Sequence, residues 1–79
     1  MDPHANAAWF GRLARNGRGL NVSCRAGATS TRYYLPLDRP YAADGFLTGE
    51  ARRISGDRFV PVRGEELDRV LFHARKFWK

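Results

Sequence analysis

Sulfur and imidazole are nearly missing from this chain: its 79 residues include one cysteine, one methionine and two histidines. The lone Cys24 excludes an internal disulfide, and with His4 and His73 it falls short of the four ligands of a structural zinc site. No metal or other cofactor is expected. Apolar runs are short as well. None approaches the roughly 18 residues that a membrane-spanning helix needs, and Met1–Asn6 has neither the basic nor the apolar region of a secretory signal. A reducing, cytoplasmic location without membrane association is the resulting expectation.

Acidic side chains are absent from a whole half of the chain. No Asp or Glu occurs between Pro3 and Leu37, while Arg12, Arg15, Arg18, Arg25 and Arg32 follow one another there. From Asp38 onward nine basic residues meet seven acidic ones. The first half therefore carries most of the net charge of +6, and its field attracts polyanions or acidic protein surfaces. Catalytic groups are equally scarce. His4 falls in the N-terminal tail and His73 on a helix flank away from most of the apolar stripe, both reading as solvated. Cys24 reads as a buried, inert small apolar residue. Nothing fixes a spacing between Glu50 and Asp57, and Gly17-Arg18-Gly19 belongs to a turn rather than to a phosphate-binding loop. The expectation is a protein that is not an enzyme and has no small-molecule substrate.

What is present suffices for a core. Hydrophobic residues make up 43% and aromatic residues 13% of the chain, too much for disorder. One domain is expected over residues 1–79, with 1–6 as a flexible tail and Trp9, Tyr33, Phe46, Phe59 and Trp78 filling much of the interior. The organising stretch is Ala8 to Ala26, where apolar residues alternate symmetrically about Asn16-Gly17. A two-residue type I′ turn there pairs Arg15 with Arg18, Leu13 with Leu20, Gly11 with Val22 and Trp9 with Cys24. A helix over residues 6–16, capped by Asn6 and ended by Gly17, is the competing assignment. Gly11 in its middle would cost about 1 kcal/mol, and only the hairpin accounts for Trp9, Leu13, Leu20 and Val22 together.

Gly27 to Ser30 forms the next turn, and Thr31 to Leu37 returns as a third strand with Tyr33, Leu35 and Leu37 inward. Pro36, without an N–H, marks an edge or the end of regular pairing, and Asp38 to Gly45 is a loop. A second hairpin, Phe46–Ile54 and Arg58–Val62, turns at Gly56-Asp57 in the type II′ manner. Its register opposes Ile54 to Phe59, Arg53 to Val60 and Ala51 to Val62, which puts Leu47, Ala51, Val60 and Val62 on one face. It leaves open which of Arg52 and Arg53 turns to solvent. From Glu65 to about Phe77, Leu67, Val70, Leu71, Ala74 and Trp78 form the stripe of a helix buried on one face. Acids lie in its first turn, bases in its last, and Gly64 is the expected N-cap.

The fold expected is α+β: an antiparallel sheet of about five strands, two hairpins plus a linking strand, packed against one C-terminal helix. Strand parity leaves Phe10, Arg12, Asn21, Ser23, Arg25, Arg32 and Tyr34 on the face away from the core. Forked guanidinium donors, an amide and two aromatic rings suit phosphates and bases. The first functional expectation is therefore nucleic-acid binding, with Arg12, Arg15, Arg18, Arg25 and Arg32 on phosphates and Phe10, Asn21 and Tyr34 on bases. A second class fits the same charge: an inhibitor of the phage or plasmid type, such as an anti-CRISPR protein, docking its basic face on an acidic surface of a host nucleoprotein complex. A polar outer face is also what any antiparallel sheet with one wet side displays. No family motif is legible, and oligomeric state is not encoded in any visible pattern.

Overall fold

Five segments in which apolar and polar residues alternate assemble edge to edge in sequence order. The computed structural model describes residues 7–42 and 45–78. Strands β1 (Ala8–Leu13), β2 (Gly19–Ala26), β3 (Thr29–Pro36), β4 (Arg52–Ser55) and β5 (Arg58–Pro61) form one open antiparallel sheet, and helix α1 (Gly64–Phe77) packs across one of its faces. This is an α+β fold. The expected tail, His4 included, lies outside the described residues. No helix among the described residues is long and apolar enough to cross a membrane.

The β1–β2 register is the one that the alternation about Asn16-Gly17 predicts, with Leu13 opposite Leu20, Gly11 opposite Val22 and Trp9 opposite Cys24; residues 8–13 are strand, not helix. The turn itself differs. Ala14 N–H donates to the Gly19 carbonyl, which leaves Arg15 to Arg18 as a four-residue loop. Gly17 has φ +67° while Asn16 stays out of the left-handed region, so the turn is not type I′. The cause is tertiary. The Gly17 carbonyl accepts from Tyr41 N–H and the Arg18 carbonyl from Leu37 N–H, bonds that hold the wider loop against the segment after β3. Asn16 Oδ1 accepts from Arg18 N–H at 3.0 Å, tying the loop from within. Because two and four loop residues share the same parity, the faces are unchanged.

The β2–β3 turn is tighter than the sequence suggests. Ala26 pairs with Thr29, so β3 starts two residues earlier than Thr31. Gly27 and Gly56 occupy the first positions of their two-residue turns at φ +61° and +63°, the type II′ pattern expected at Gly56. The second hairpin keeps the expected pairs Ile54–Phe59 and Arg53–Val60, but its first strand is short. Phe46 makes only an isolated bridge to Leu37, and Thr48–Glu50 forms one turn of 3-10 helix before β4 begins. Leu47 is consequently exposed at 38%. Pro36 is the last residue of the central strand β3, where its missing N–H breaks no ladder bond.

The core lies between sheet and helix. Leu20, Val22, Cys24, Tyr33 and Leu35 from β2 and β3 meet Val70, Leu71 and Ala74 of α1, with Ala51 and Val62 closing one end. Gly11 admits the ring of Phe77, with which any side chain at that position would collide, and Trp78 meets Phe46 edge to face at 6.2 Å. Three placements depart from expectation. Phe59 is 62% exposed rather than in the core, because its parity turns it to the sheet face that no described element covers. His73 is half-buried, its ring stacked on Trp9 at a centroid distance of 4.2 Å, since the large indole of edge strand β1 reaches the helix flank. The helix N-cap is Arg63 in extended conformation, and Gly64 opens α1 at φ +62°, so helical dihedrals begin at Glu65.

Arg53 points to the helix side, an unusual place for a guanidinium. Its Nη1 spans both Glu66 carboxylate oxygens at 2.7 and 2.8 Å, and the buried Tyr33 hydroxyl donates to Glu66 Oε2 at 3.0 Å. Burial first, then the hydrogen bond to Glu66 and its negative charge, push the Tyr33 phenol well above its ordinary value of 10.

Two outcomes are expected. Gly27→Ala should cost about 1 kcal/mol, the penalty of a Cβ in the left-handed region, as its surroundings are open. Gly17→Ala should cost more, because the added methyl also meets the Tyr41 ring; equal losses in urea melts would show that the ring simply moves aside. For Tyr33, a folded pKa above the unfolded value means stability that is complete below pH 10 and lost as pH rises beyond it. Denaturation followed from pH 8 to pH 11 should show a steeper loss for wild type than for Tyr33→Phe, and parallel curves would contradict the cluster.

Candidate nucleic-acid interface

The face opposite α1 is built by parity alone. Strand registers align its side chains in rows that cross the sheet: Ala8, Arg25 and Ser30; then Phe10, Ser23, Arg32, Ile54 and Phe59; then Arg12, Asn21, Tyr34, Arg52 and Pro61; then Gly19 and Pro36. None of these residues is acidic. The described carboxylates lie on α1 (Glu65, Glu66, Asp68) or in loops and turns (Asp38, Glu50, Asp57), so the two broad sides of the molecule differ in charge.

Of the residues that the sequence analysis singles out, the sheet brings together Phe10, Arg12, Asn21, Arg25, Arg32 and Tyr34. Arg15 and Arg18 are exposed in the β1–β2 loop, beyond the Gly19–Pro36 row and off the face proper. Tyr34 is half-buried, with its ring over Gly19 and its hydroxyl donating to the Arg18 carbonyl at 3.3 Å, and so it braces that loop. Arg12, Arg25 and Arg32 are exposed and make no ion pair with a described residue.

Three members of the face escape the sequence analysis: Arg52, Ile54 and Phe59. They join it because β4 pairs with β3 through Arg32–Ile54 and Tyr34–Arg52. Arg25, Arg32 and Arg52 then form a diagonal across three strands, each a diagonal neighbour of the next at roughly 7 to 8 Å. Arg52 lies 5.6 Å from the centroid of the Phe59 ring, a cation–π contact. The usable signal was the pairing of Arg53 with Val60, which places Arg53 with the core residues and thereby Arg52 opposite.

Side chains of Phe10, Arg12, Asn21, Ser23, Arg32 and Ile54 rim a shallow concavity of about 520 Å³. Its floor is Gly11 together with the backbone of Val22 and Tyr33, whose side chains leave from the other side. Such a surface offers forked donors, a primary amide, a hydroxyl and aromatic faces; at its β4–β5 end Glu50 borders a smaller hollow together with Arg52, Phe59 and Pro61. Cys24 is buried on the helix side, where burial pushes its thiol up and lowers its thiolate fraction.

Comparisons of the chain with protein-family models, with curated proteins and with solved structures find no match.

Because the four arginine side chains project from a face that no described element covers, replacing Arg12, Arg25, Arg32 and Arg52 singly by Gln should change folding stability by roughly 0.5 kcal/mol or less each. Thermal melts test this. A loss of 2 kcal/mol or more at any one of them, on the order of a buried-network deletion, would show that the side chain supports the fold.

Proposed function

We propose that this protein is a non-catalytic nucleic-acid-binding module that engages its ligand with the uncovered sheet face. The observation that carries the reading is the gathering of Arg12, Arg25, Arg32 and Arg52 on one face whose rows contain no carboxylate. Guanidinium groups bond phosphate oxygens in pairs and release condensed counterions on doing so, so affinity comes largely from these four side chains and weakens with salt. Asn21 and Ser23 lie among them and supply hydrogen bonds to base edges, while Arg15 and Arg18 extend the positive field past the hairpin end.

The test is salt-dependent binding of random-sequence nucleic acid by the folded wild type and by the triple variant Arg12→Gln, Arg25→Gln, Arg32→Gln. The slope of log K against log salt should flatten by about 2 to 3 in the variant, at roughly 0.7 to 0.9 for each phosphate that is no longer neutralised. Removing the same charge elsewhere, by Arg39→Gln, Arg75→Gln and Lys76→Gln, should leave most of the slope in place. Equal effects of the two triples would reduce the interaction to net charge. No salt-dependent affinity in the wild type, together with capture of an acidic protein that the first triple abolishes, would contradict the reading and favour the inhibitor expectation.

A further inference from the structure

We infer that the nucleic acid held on this face is single-stranded, with bases stacked on Phe10 and Phe59; the inference rests on the nucleic-acid reading above and specifies its ligand. Width is the first argument. A duplex major groove is about 12 Å wide and admits a helix or a two-stranded ribbon, whereas five strands at about 4.8 Å spacing make a face about 19 Å across. Arg32, Ser23 and Asn21 on the central strands therefore do not reach base edges inside an undeformed major groove. A duplex lying across the sheet would meet them with phosphates only.

The second argument is where the exposed rings sit. Phe10 on edge strand β1 and Phe59 on edge strand β5 end the same row, and they are 61% and 62% exposed. Each has an arginine beside it. Arg12 follows Phe10 by two residues on the same face, about 7 Å along the strand, and Arg52 Cζ lies over one face of the Phe59 ring, 5.6 Å from its centroid, which leaves the opposite ring face for a base. An aromatic face with an adjacent guanidinium matches an unstacked base with its own phosphate, and this unit occurs at both ends of the row. Between the two, Ser23, Arg32 and Ile54 form the lane that the strand would cross, over the concavity that the row borders.

The experiment is fluorescence anisotropy with a labelled random-sequence strand of about twelve nucleotides, within the site sizes of single-strand modules, and with the same strand annealed to its complement. The single strand should bind tighter, on the order of tenfold or more. Phe10→Leu and Phe59→Leu should each weaken single-strand binding by roughly 5- to 150-fold, the range for removal of one base–aromatic stack, without changing the salt slope or the melting temperature. Phe10→Trp and Phe59→Trp should retain affinity, because they keep a π face that leucine lacks. Equal or tighter binding of the duplex, or wild-type affinity in the leucine variants, overturns the inference; if that binding still depends on Arg12, Arg25 and Arg32, the broader nucleic-acid reading survives. Absence of salt-dependent binding to either form overturns both.

Discussion

Among the described residues one α-helix is available to cover a sheet that has two faces, and the rest of the described structure follows from that shortage. Helix α1 has 14 residues and is about 21 Å long at 1.5 Å per residue, close to the roughly 19 Å that five strands span. It closes one face and leaves nothing for the other. The two-residue period of the strands then decides the fate of every side chain: Leu20, Val22, Tyr33 and Leu35 are buried, while Asn21, Ser23, Arg32 and Tyr34, one step along the same strands, face outward. The core is thus confined to one side of the layer, and Arg12, Arg25, Arg32 and Arg52 lie on the other, the side that we propose for recognition.

The arrangement has one local conflict, at Arg53, whose parity puts a guanidinium beside Val60 and Val62 on the helix side. Glu66 resolves it. As a first-turn residue it complements the helix dipole, and from there it also meets Arg53 and the Tyr33 hydroxyl. With side chains 36% and 32% exposed, the ion pair contributes on the order of 1 kcal/mol at most. Its larger consequence is geometric, since it fixes the start of α1 against β3 and β4. With Arg53 satisfied there, Arg52 is the member of the pair that turns outward to complete the arginine diagonal.

The sequence was most informative where strict alternation and one turn agree. Trp9, Leu13, Leu20 and Val22 about Asn16-Gly17 sufficed for the β1–β2 register and for the outer set Phe10, Arg12, Asn21 and Arg25, and the stripe from Leu67 to Ala74 sufficed for the helix. The loop geometry at Asn16 was not legible, because long-range bonds from Leu37 and Tyr41 select it. Phe59 was misplaced by its chemistry: a large apolar ring suggests the core, yet strand parity outranks hydrophobicity when a face lacks a second layer. Arg52 and Arg53 stayed unassigned although the register already set Arg53 opposite Val60; the contact with Glu66 is what makes the helix side tenable for the Arg53 guanidinium. His73 could not be assigned to Trp9 without knowing how edge strand β1 sits against α1.

The central claim, that the uncovered sheet face is the binding surface, is tested most directly by mapping backbone amide and arginine guanidinium N–H shifts as a short single strand of nucleic acid is added to the isotopically labelled protein. The account predicts perturbations concentrated at Phe10, Arg12, Ser23, Arg32, Arg52, Ile54 and Phe59, with α1 from Glu65 to Lys76 nearly unchanged. Perturbations centred on α1, or shifts spread evenly over both faces, would contradict it.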